Sequence, residues 1–129
     1  MARTTTTHIA GVGTVAVPVS NQDRAIEFFV GTLGFEKRRD LAFPGGRWVE
    51  VAPAGAATTI ALAPHLEEGS VTVDTGIRLF TTNVEADHSN LSIRGVDVDA
   101  EVLRMGPAVP PMFTFRDPDG NSYFMVQAD

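Results

Sequence analysis

The sequence predicts an α+β fold in which a β-α-β-β-β order of elements occurs twice. Three observations support it: apolar residues alternate along short segments, two segments have helical spacing, and turns containing Gly or Pro separate the others. The repeat lies in the order of elements, since the two halves share little letter-by-letter identity. We expect one domain over residues 1–129, with modules at about 9–64 and 75–129. The modules should form a curved mixed sheet around a cleft, with the helices outside.

The first module begins with a strand and a capped helix. Valine alternates with smaller residues over 13–19, which is typical of a strand with one apolar face. Polar residues at 20–23 can cap a helix predicted over 24–33, and Gly34 ends that helix. Three more strands are predicted, at 35–41, 47–52 and 58–63.

The second module repeats this order after a polar connection at 64–75. Alternation over 76–82 predicts a strand, and the helix that follows covers 84–94 and ends at Gly95. The segment Asp-Pro-Asp-Gly-Asn at 117–121 is a strong turn signal between the last two strands. The three strands predicted after the helix lie at 98–105, 109–116 and 122–127.

The composition excludes several classes of function. Sixteen Asp and Glu stand against ten Lys and Arg, a formal net charge of −6, so we expect no nucleic acid as a partner. The absence of Cys excludes disulfides, Cys-bound zinc, iron–sulfur clusters and a Cys nucleophile. There is no apolar run of about 18 residues, so no membrane partner is expected and the cytoplasm is the expected location.

Two segments resemble the signatures of a known superfamily. Residues 23–35 contain DRA, FF and LGF in that order, and residues 115–121 read FRDPDGN. Both are similar to motifs of the vicinal oxygen chelate superfamily, which includes glyoxalase I, extradiol dioxygenases, and the fosfomycin- and bleomycin-resistance proteins. The resemblance covers the chain from Gly11 to Gln127. It implies the fold more than the function, because both motifs are mainly structural.

The resemblance also implies positions for a metal. Enzymes of this superfamily bind a divalent metal through His and Glu side chains from the first and last strand of each module. Those positions are Thr14, Ala61, Gly76 or Arg78, and Phe124 in this chain, and none is a usual ligand of such a cation. The three histidines, His8, His65 and His88, lie elsewhere. We therefore expect no metal and no cofactor, which argues against glyoxalase, extradiol dioxygenase and fosfomycin-transferase chemistry.

Strand parity predicts which side chains face the cleft. Where the apolar residues of a strand face the helix, their neighbours face the cleft. The predicted ligand-binding residues are Thr14, Trp48, Glu50, Arg78, Phe80 and Phe124. Either face of the strand at 109–116 could be the inner one. Such a lining is mostly apolar with few polar groups, as in small-molecule sites.

Several roles are open for these residues. The aromatic rings could stack on a planar ligand or hold a cation, while Glu50 anchors a basic group. Alternatively, Trp48 and Phe124 fill the core. Glu50 and Arg78 could also pair with one another, or lie at a wet rim.

Three functions therefore compete. The leading one is a metal-independent small-molecule-binding protein of the bleomycin-resistance type, which sequesters an antibiotic or an aromatic metabolite; the charge of −6 suits a cationic ligand. The second is a lyase, isomerase or dioxygenase-like enzyme with displaced metal ligands. It would recruit Glu50 together with His65, and His65 is the candidate general base. The third is an interaction domain whose cleft is filled by side chains. Relatives of this length commonly dimerise, so a homodimer is expected.

Overall fold

Two four-stranded sheets and two helical segments make up the structure, a computed structural model that describes residues 6–64 and 72–129. The first module contains β1 (Thr14–Val19), α1 (Gln22–Ile26), a π-helix (Glu27–Thr32), β2 (Glu36–Phe43), β3 (Gly46–Ala52) and β4 (Thr59–Pro64). The second contains β5 (Asp74–Thr81), α2 (Val84–Ile93), β6 (Asp97–Val98), β7 (Met112–Arg116) and β8 (Ser122–Gln127). The α+β class and the repeated order of elements are confirmed.

The two sheets share one topology. Their strand orders are β1-β4-β3-β2 and β5-β8-β7-β6, and in each sheet the first strand of the module pairs in parallel with the last. The other pairs are antiparallel. Within the described ranges, no strand of one sheet pairs with a strand of the other, so the sheets remain separate and neither is closed.

The first helix changes its hydrogen-bonding period along its length. Asn21 caps α1 by accepting from the Arg24 N–H at 3.0 Å, and the π-helix follows directly. The Leu33 N–H donates to the Phe28 carbonyl five residues back, at 3.0 Å, and Gly34 then takes a φ of +80°. No helix in the described part of the chain is long and apolar enough to cross a membrane.

The core is shared between the modules. Phe28 and Phe29 of the π-helix are buried, and their ring centroids lie 6.4 Å from Phe115 and 5.7 Å from Tyr123, respectively. Phe115 and Tyr123 are neighbours on β7 and β8, with their rings stacked at 5.2 Å. The aromatic packing of the first helix is therefore completed by the second module.

The segment before β7 differs from the prediction. The strand predicted at 98–105 is wrong: only Asp97–Val98 pairs with β7, and Leu103 makes a single bridge to Met112. Proline lacks an N–H donor, so the adjacent Pro110 and Pro111 also delay the start of β7 from the predicted 109 to Met112. The predicted His65 and most of the connection at 64–75 lie outside the described residues.

Candidate ligand-binding site

A cluster of polar side chains lies on the face of the first sheet that points away from α1. Glu50 is at its centre: Oε1 accepts a hydrogen bond from Thr59 Oγ1 at 2.6 Å, and Oε2 accepts one from Trp48 Nε1 at 2.6 Å. Arg39 Nε lies 3.8 Å from Glu50 Oε2. Thr14 Oγ1 donates to the Thr59 carbonyl at 3.2 Å. Through Thr59, Thr14 is therefore connected to the hydrogen-bond network of the Glu50 carboxylate.

Strand register brings this cluster together. Arg39 is directly opposite Glu50 across β2 and β3, and Thr14 is opposite Thr59 across β1 and β4. The hydrogen bond from Thr59, then the one from Trp48, and then the charge of Arg39 lower the pKa of Glu50, against the opposing effect of burial. Glu50 is therefore held as a carboxylate.

A cavity of about 510 Å³ adjoins the cluster. Thr14, Glu50, Arg38 and Arg39 are among its lining residues. Arg38 is engaged by Glu36 and by two backbone carbonyls, whereas the side chain of Arg39 is 61% exposed. The cavity therefore presents a polar wall with a partly free guanidinium.

The corresponding face of the second sheet carries a guanidinium on an aromatic ring. The Arg78 Cζ atom lies 4.7 Å from the centroid of the Phe124 ring, its register partner across β5 and β8. One terminal nitrogen of Arg78 donates to the Gly76 carbonyl at 2.8 Å. Phe80 lies two residues further along the same face and is 76% exposed.

One face of β7 continues this surface of the second sheet, and the burial of its residues identifies which face it is. Phe113 and Phe115 are buried in the core, so Met112, Thr114 and Arg116 lie on the opposite face. Thr114 is the register partner of Phe124. Arg116 is paired with Asp97 and Asp99, which neutralise it.

The six sequence-predicted residues thus form two groups. Thr14, Trp48 and Glu50 lie on the first sheet, and Arg78, Phe80 and Phe124 lie on the second. Neither Trp48 nor Phe124 is part of the buried core, and Glu50 pairs with Arg39 and not with Arg78.

Sequence reasoning missed Arg39. A bulge between Lys37 and Arg39 shifts the register of β2, so simple alternation from the start of that strand does not identify its inner face. The acidic Glu50 on the neighbouring strand was the signal that could have found it, since opposite charges favour facing positions across a strand pair.

The positions implied for a metal do not fit one. They carry a hydroxyl at Thr14, a methyl at Ala61, no side chain at Gly76 or a guanidinium at Arg78, and an aromatic ring at Phe124. Divalent cations need carboxylate or imidazole donors there. Over residues 6–64 and 72–129, no three His, Asp or Glu side chains are grouped closely enough to hold a metal ion.

The described histidines lie apart from both groups. His88 is on α2, where Nε2 lies 2.7 Å from the Asp99 carbonyl oxygen and the ring packs edge-on against Phe113. His8 is exposed before β1.

Comparison with known proteins identifies the family. A sequence profile described as the Glyoxalase/Bleomycin resistance protein/Dioxygenase superfamily matches residues 11–123. The chain belongs to this superfamily. The resemblance in the two motif segments is thereby confirmed, and the separate four-stranded sheets are the two modules of the glyoxalase fold.

Three known proteins match along nearly the whole chain. TnmS3, an antibiotic binding protein from Streptomyces sp. CB03234, is 34% identical with a TM-score of 0.80, covering 95% of this chain and 99% of TnmS3. A superfamily member from Sphaerobacter thermophilus DSM 20745 is 36% identical with a TM-score of 0.84, covering 93% and 98%. The uncharacterized protein YetH of Bacillus subtilis is 29% identical over 121 residues, 92% of this chain and 99% of YetH.

Proposed function

We propose that this superfamily member binds a small molecule with a planar aromatic body, without a metal, and sequesters it. The observation that carries the proposal is the set of aromatic side chains on the sheet faces that point away from the helices: Phe43, Trp48, Phe80 and Phe124. Phe43 and Phe80 are both more than half exposed, each on its own sheet, and exposed apolar surface of this kind can mark a binding site. The ligand would be an antibiotic or an aromatic metabolite, and antibiotic binding by TnmS3 supports the first.

The proposed ligand-binding residues form two walls. Thr14, Trp48 and Glu50 belong to one wall, and Arg78, Phe80 and Phe124 belong to the other. The rings on each wall can stack on a planar ligand, and the polar groups beside them can orient it. Both modules would then act as one ligand-binding domain in the cytoplasm, a location that cell fractionation would test.

A homodimer is part of the same proposal. Each wall lies on its own sheet. In the single chain the sheet face that carries the wall is exposed to solvent, at Phe43 on the first sheet and at Phe80 on the second. A second copy of the chain would cover these apolar rings and could bring a wall of one subunit against a wall of the other. Light scattering at micromolar concentration should give the mass of a dimer, and a monomer there would refute this part.

The binding function can be tested through the only tryptophan of the chain, Trp48. Titration of planar aromatic antibiotics and metabolites, in buffer containing EDTA, should change its emission and raise the melting temperature. Phe124→Leu should weaken the binding of a hit several-fold because it removes a stacking face. Ile93→Ala, a control at an 82% exposed apolar residue on α2, should leave the affinity unchanged.

Two outcomes would contradict the proposal. If no planar aromatic compound bound, or if Phe124→Leu and Ile93→Ala bound equally well, the walls would not be the site. If the purified protein carried stoichiometric Ni, Zn, Fe or Mn, metal independence would be wrong.

The alternative is a lyase, isomerase or dioxygenase-like enzyme with displaced metal ligands. Glu50, one of its two candidate residues, is a poor general base, because both carboxylate oxygens are hydrogen-bonded and its pKa is lowered. Recovery of a bound compound chemically unchanged after prolonged incubation would favour binding, whereas a product detected by mass spectrometry would favour the enzyme.

A further inference from the structure

The second proposed wall carries a positive charge at Arg78, and on the first wall Arg39 offsets Glu50, although the whole chain has a formal net charge of −6. The inference drawn from this contrast rests on the proposed function, and it concerns the class of ligand. Three carboxylates near the walls are already engaged. Glu50 accepts from Thr59 and Trp48, while Asp97 and Asp99 pair with Arg116.

Glu50 is poorly placed to bind a basic group of a ligand. Its side chain is only 14% exposed, and Arg39 approaches the oxygen that also accepts from Trp48. A basic group on a ligand would have to compete with the charge of Arg39 or displace Thr59 or Trp48, whose side-chain donors would then lose their partner. The carboxylate therefore serves to orient Trp48 and Arg39.

Arg78, in contrast to Glu50, has hydrogen-bonding groups free for a ligand within the described part of the chain. Among the described residues its guanidinium makes no salt bridge; its contacts are the Gly76 carbonyl, to one terminal nitrogen, and the face of the Phe124 ring. The edge formed by Nε and the other terminal nitrogen makes no hydrogen bond within the described part of the chain. Two parallel N–H donors on one edge match a carboxylate or a similar oxyanion.

The ring and the guanidinium fix how such a ligand would lie. The Phe124 ring holds the guanidinium 4.7 Å from its centroid, which limits the rotation of a long side chain. Phe80, exposed on the same face, offers an aromatic surface next to it. An anion on Arg78 would therefore place an attached planar ring against Phe80.

We propose that the ligand is an aromatic acid, a planar ring system that carries an anionic oxygen group, with the anion bound by Arg78. Arg39 supplies a second, weaker positive charge on the other wall, because Glu50 partly neutralises it. This reverses the expectation of a cationic ligand that the overall charge suggests.

Three naphthalene probes that differ only in charge test this proposal by isothermal titration calorimetry. They are 2-naphthoate, the neutral 2-naphthamide and the cationic 2-naphthylmethylamine at pH 7. We expect 2-naphthoate to bind at least about tenfold more tightly than the other two, since hydrogen bonds between charged partners are roughly twice as strong as neutral ones.

Two variants assign the effect to Arg78. Arg78→Gln should weaken the binding of 2-naphthoate about tenfold and weaken that of 2-naphthamide much less, because only the former loses a charge-assisted bond. Arg78→Lys should restore part of the lost affinity, because it keeps the charge and loses the two-pronged edge. Arg104→Gln is the matched control, since Arg104 is an exposed arginine that pairs with Glu85 away from the walls. Circular dichroism verifies that each variant is folded.

The outcomes separate this inference from the proposed function. Equal affinity for all three probes, or tightest binding of the amine, would overturn the aromatic-acid ligand and leave small-molecule binding intact. Unchanged binding of 2-naphthoate to Arg78→Gln would likewise overturn it. If none of the probes bound at millimolar concentration while a planar aromatic antibiotic did, only the inference would be overturned; if no planar aromatic compound bound, the proposed function would fail with it.

Discussion

The side-chain amide of Asn121 donates a hydrogen bond from Nδ2 to the carbonyl oxygen of Pro18, at 2.8 Å and across 103 residues of chain. The same nitrogen donates to Asp117 Oδ2 at 3.0 Å, and Oδ1 accepts from the Val73 N–H at 3.0 Å. Asn121 is fully buried. One side chain thus connects the first strand of the chain, the residue before β5, and the turn between β7 and β8.

Replacing Asn121 by Ala should lower the free energy of unfolding by about 2–4 kcal/mol, because it leaves buried donors and acceptors without partners. Urea denaturation followed by circular dichroism measures the change. Asn90→Ala, on the exposed side of α2, is the control and should change stability by less than about 0.5 kcal/mol. Similar values for the two variants would contradict the role of Asn121.

Tyr123, the only tyrosine of the chain, should make stability fall at alkaline pH. Burial, then the negative charge of Asp117 and the hydrogen bond to its Oδ2, raises the pKa of Tyr123 above its ordinary value of 10.0. The stabilisation is present in full below pH about 10 and is lost above it, because the unfolded state then releases the proton while the folded state retains it.

Absorbance at 295 nm should therefore show no tyrosinate in the folded protein near pH 10. Urea unfolding at a series of pH values should show that the free energy of unfolding of the wild type falls at alkaline pH. In Tyr123→Phe this fall should be smaller, by the contribution of the tyrosine. Ionisation of the tyrosine near pH 10 with circular dichroism unchanged would rule out this explanation.

Gly34 and Gly31 offer a matched pair at the end of the π-helix. Gly34 has a φ of +80° and no atom within 4 Å of an added Cβ, so Gly34→Ala should cost about 1 kcal/mol through backbone conformation alone. Gly31 does not have a positive φ, and an added Cβ would meet only Glu27 Cγ at 3.8 Å. Gly31→Ala should stabilise by about 0.4–1 kcal/mol. Melting temperatures that move in the same direction would contradict this assignment.

Protonation of Glu50 should change the emission of Trp48 in acid. The pKa of Glu50 is lowered from 4.5, so its stabilising effect is present above that pH and is lost as pH falls through the lower, folded-state value. Trp48 emission in the folded protein should stay constant from pH 7 to 4.5 and change below. Glu50→Gln should abolish this transition, and Glu36→Gln, at the exposed partner of Arg38, should keep it. A transition centred above pH 4.5 would be inconsistent with the network.

Much of the arrangement of the candidate site follows from strand parity. Residues two apart on a strand share a face, so Trp48 and Glu50 were placed together from their spacing, as were Arg78 and Phe80. Buried neighbours such as Val49 and Val51 confirm the direction of the apolar face. The bounds of β8 were also predicted correctly, because a strong turn and a short alternating segment leave little choice.

Other features of the molecule could not be predicted from local sequence patterns. Adjacent Phe28 and Phe29 suit a helical segment of either period, so the π-helix was not visible in the sequence. Apolar residues such as Leu103 and Met105 suggested a strand, yet neighbouring proline and glycine prevent a continuous ladder there. How the predicted site residues divide between two separate sheets depends on contacts far apart in the chain, which local patterns do not encode.

The shared aromatic packing has a consequence for biosynthesis. Phe28 and Phe29 leave the ribosome long before Phe115 and Tyr123, the rings against which they pack. The first half of a nascent chain therefore emerges with an apolar helix that has no native partner. This helix can pack in its native position only after β7 and β8 have been synthesised. The native core can therefore form only after the last strands have emerged, and until then the first module exposes apolar surface that favours aggregation.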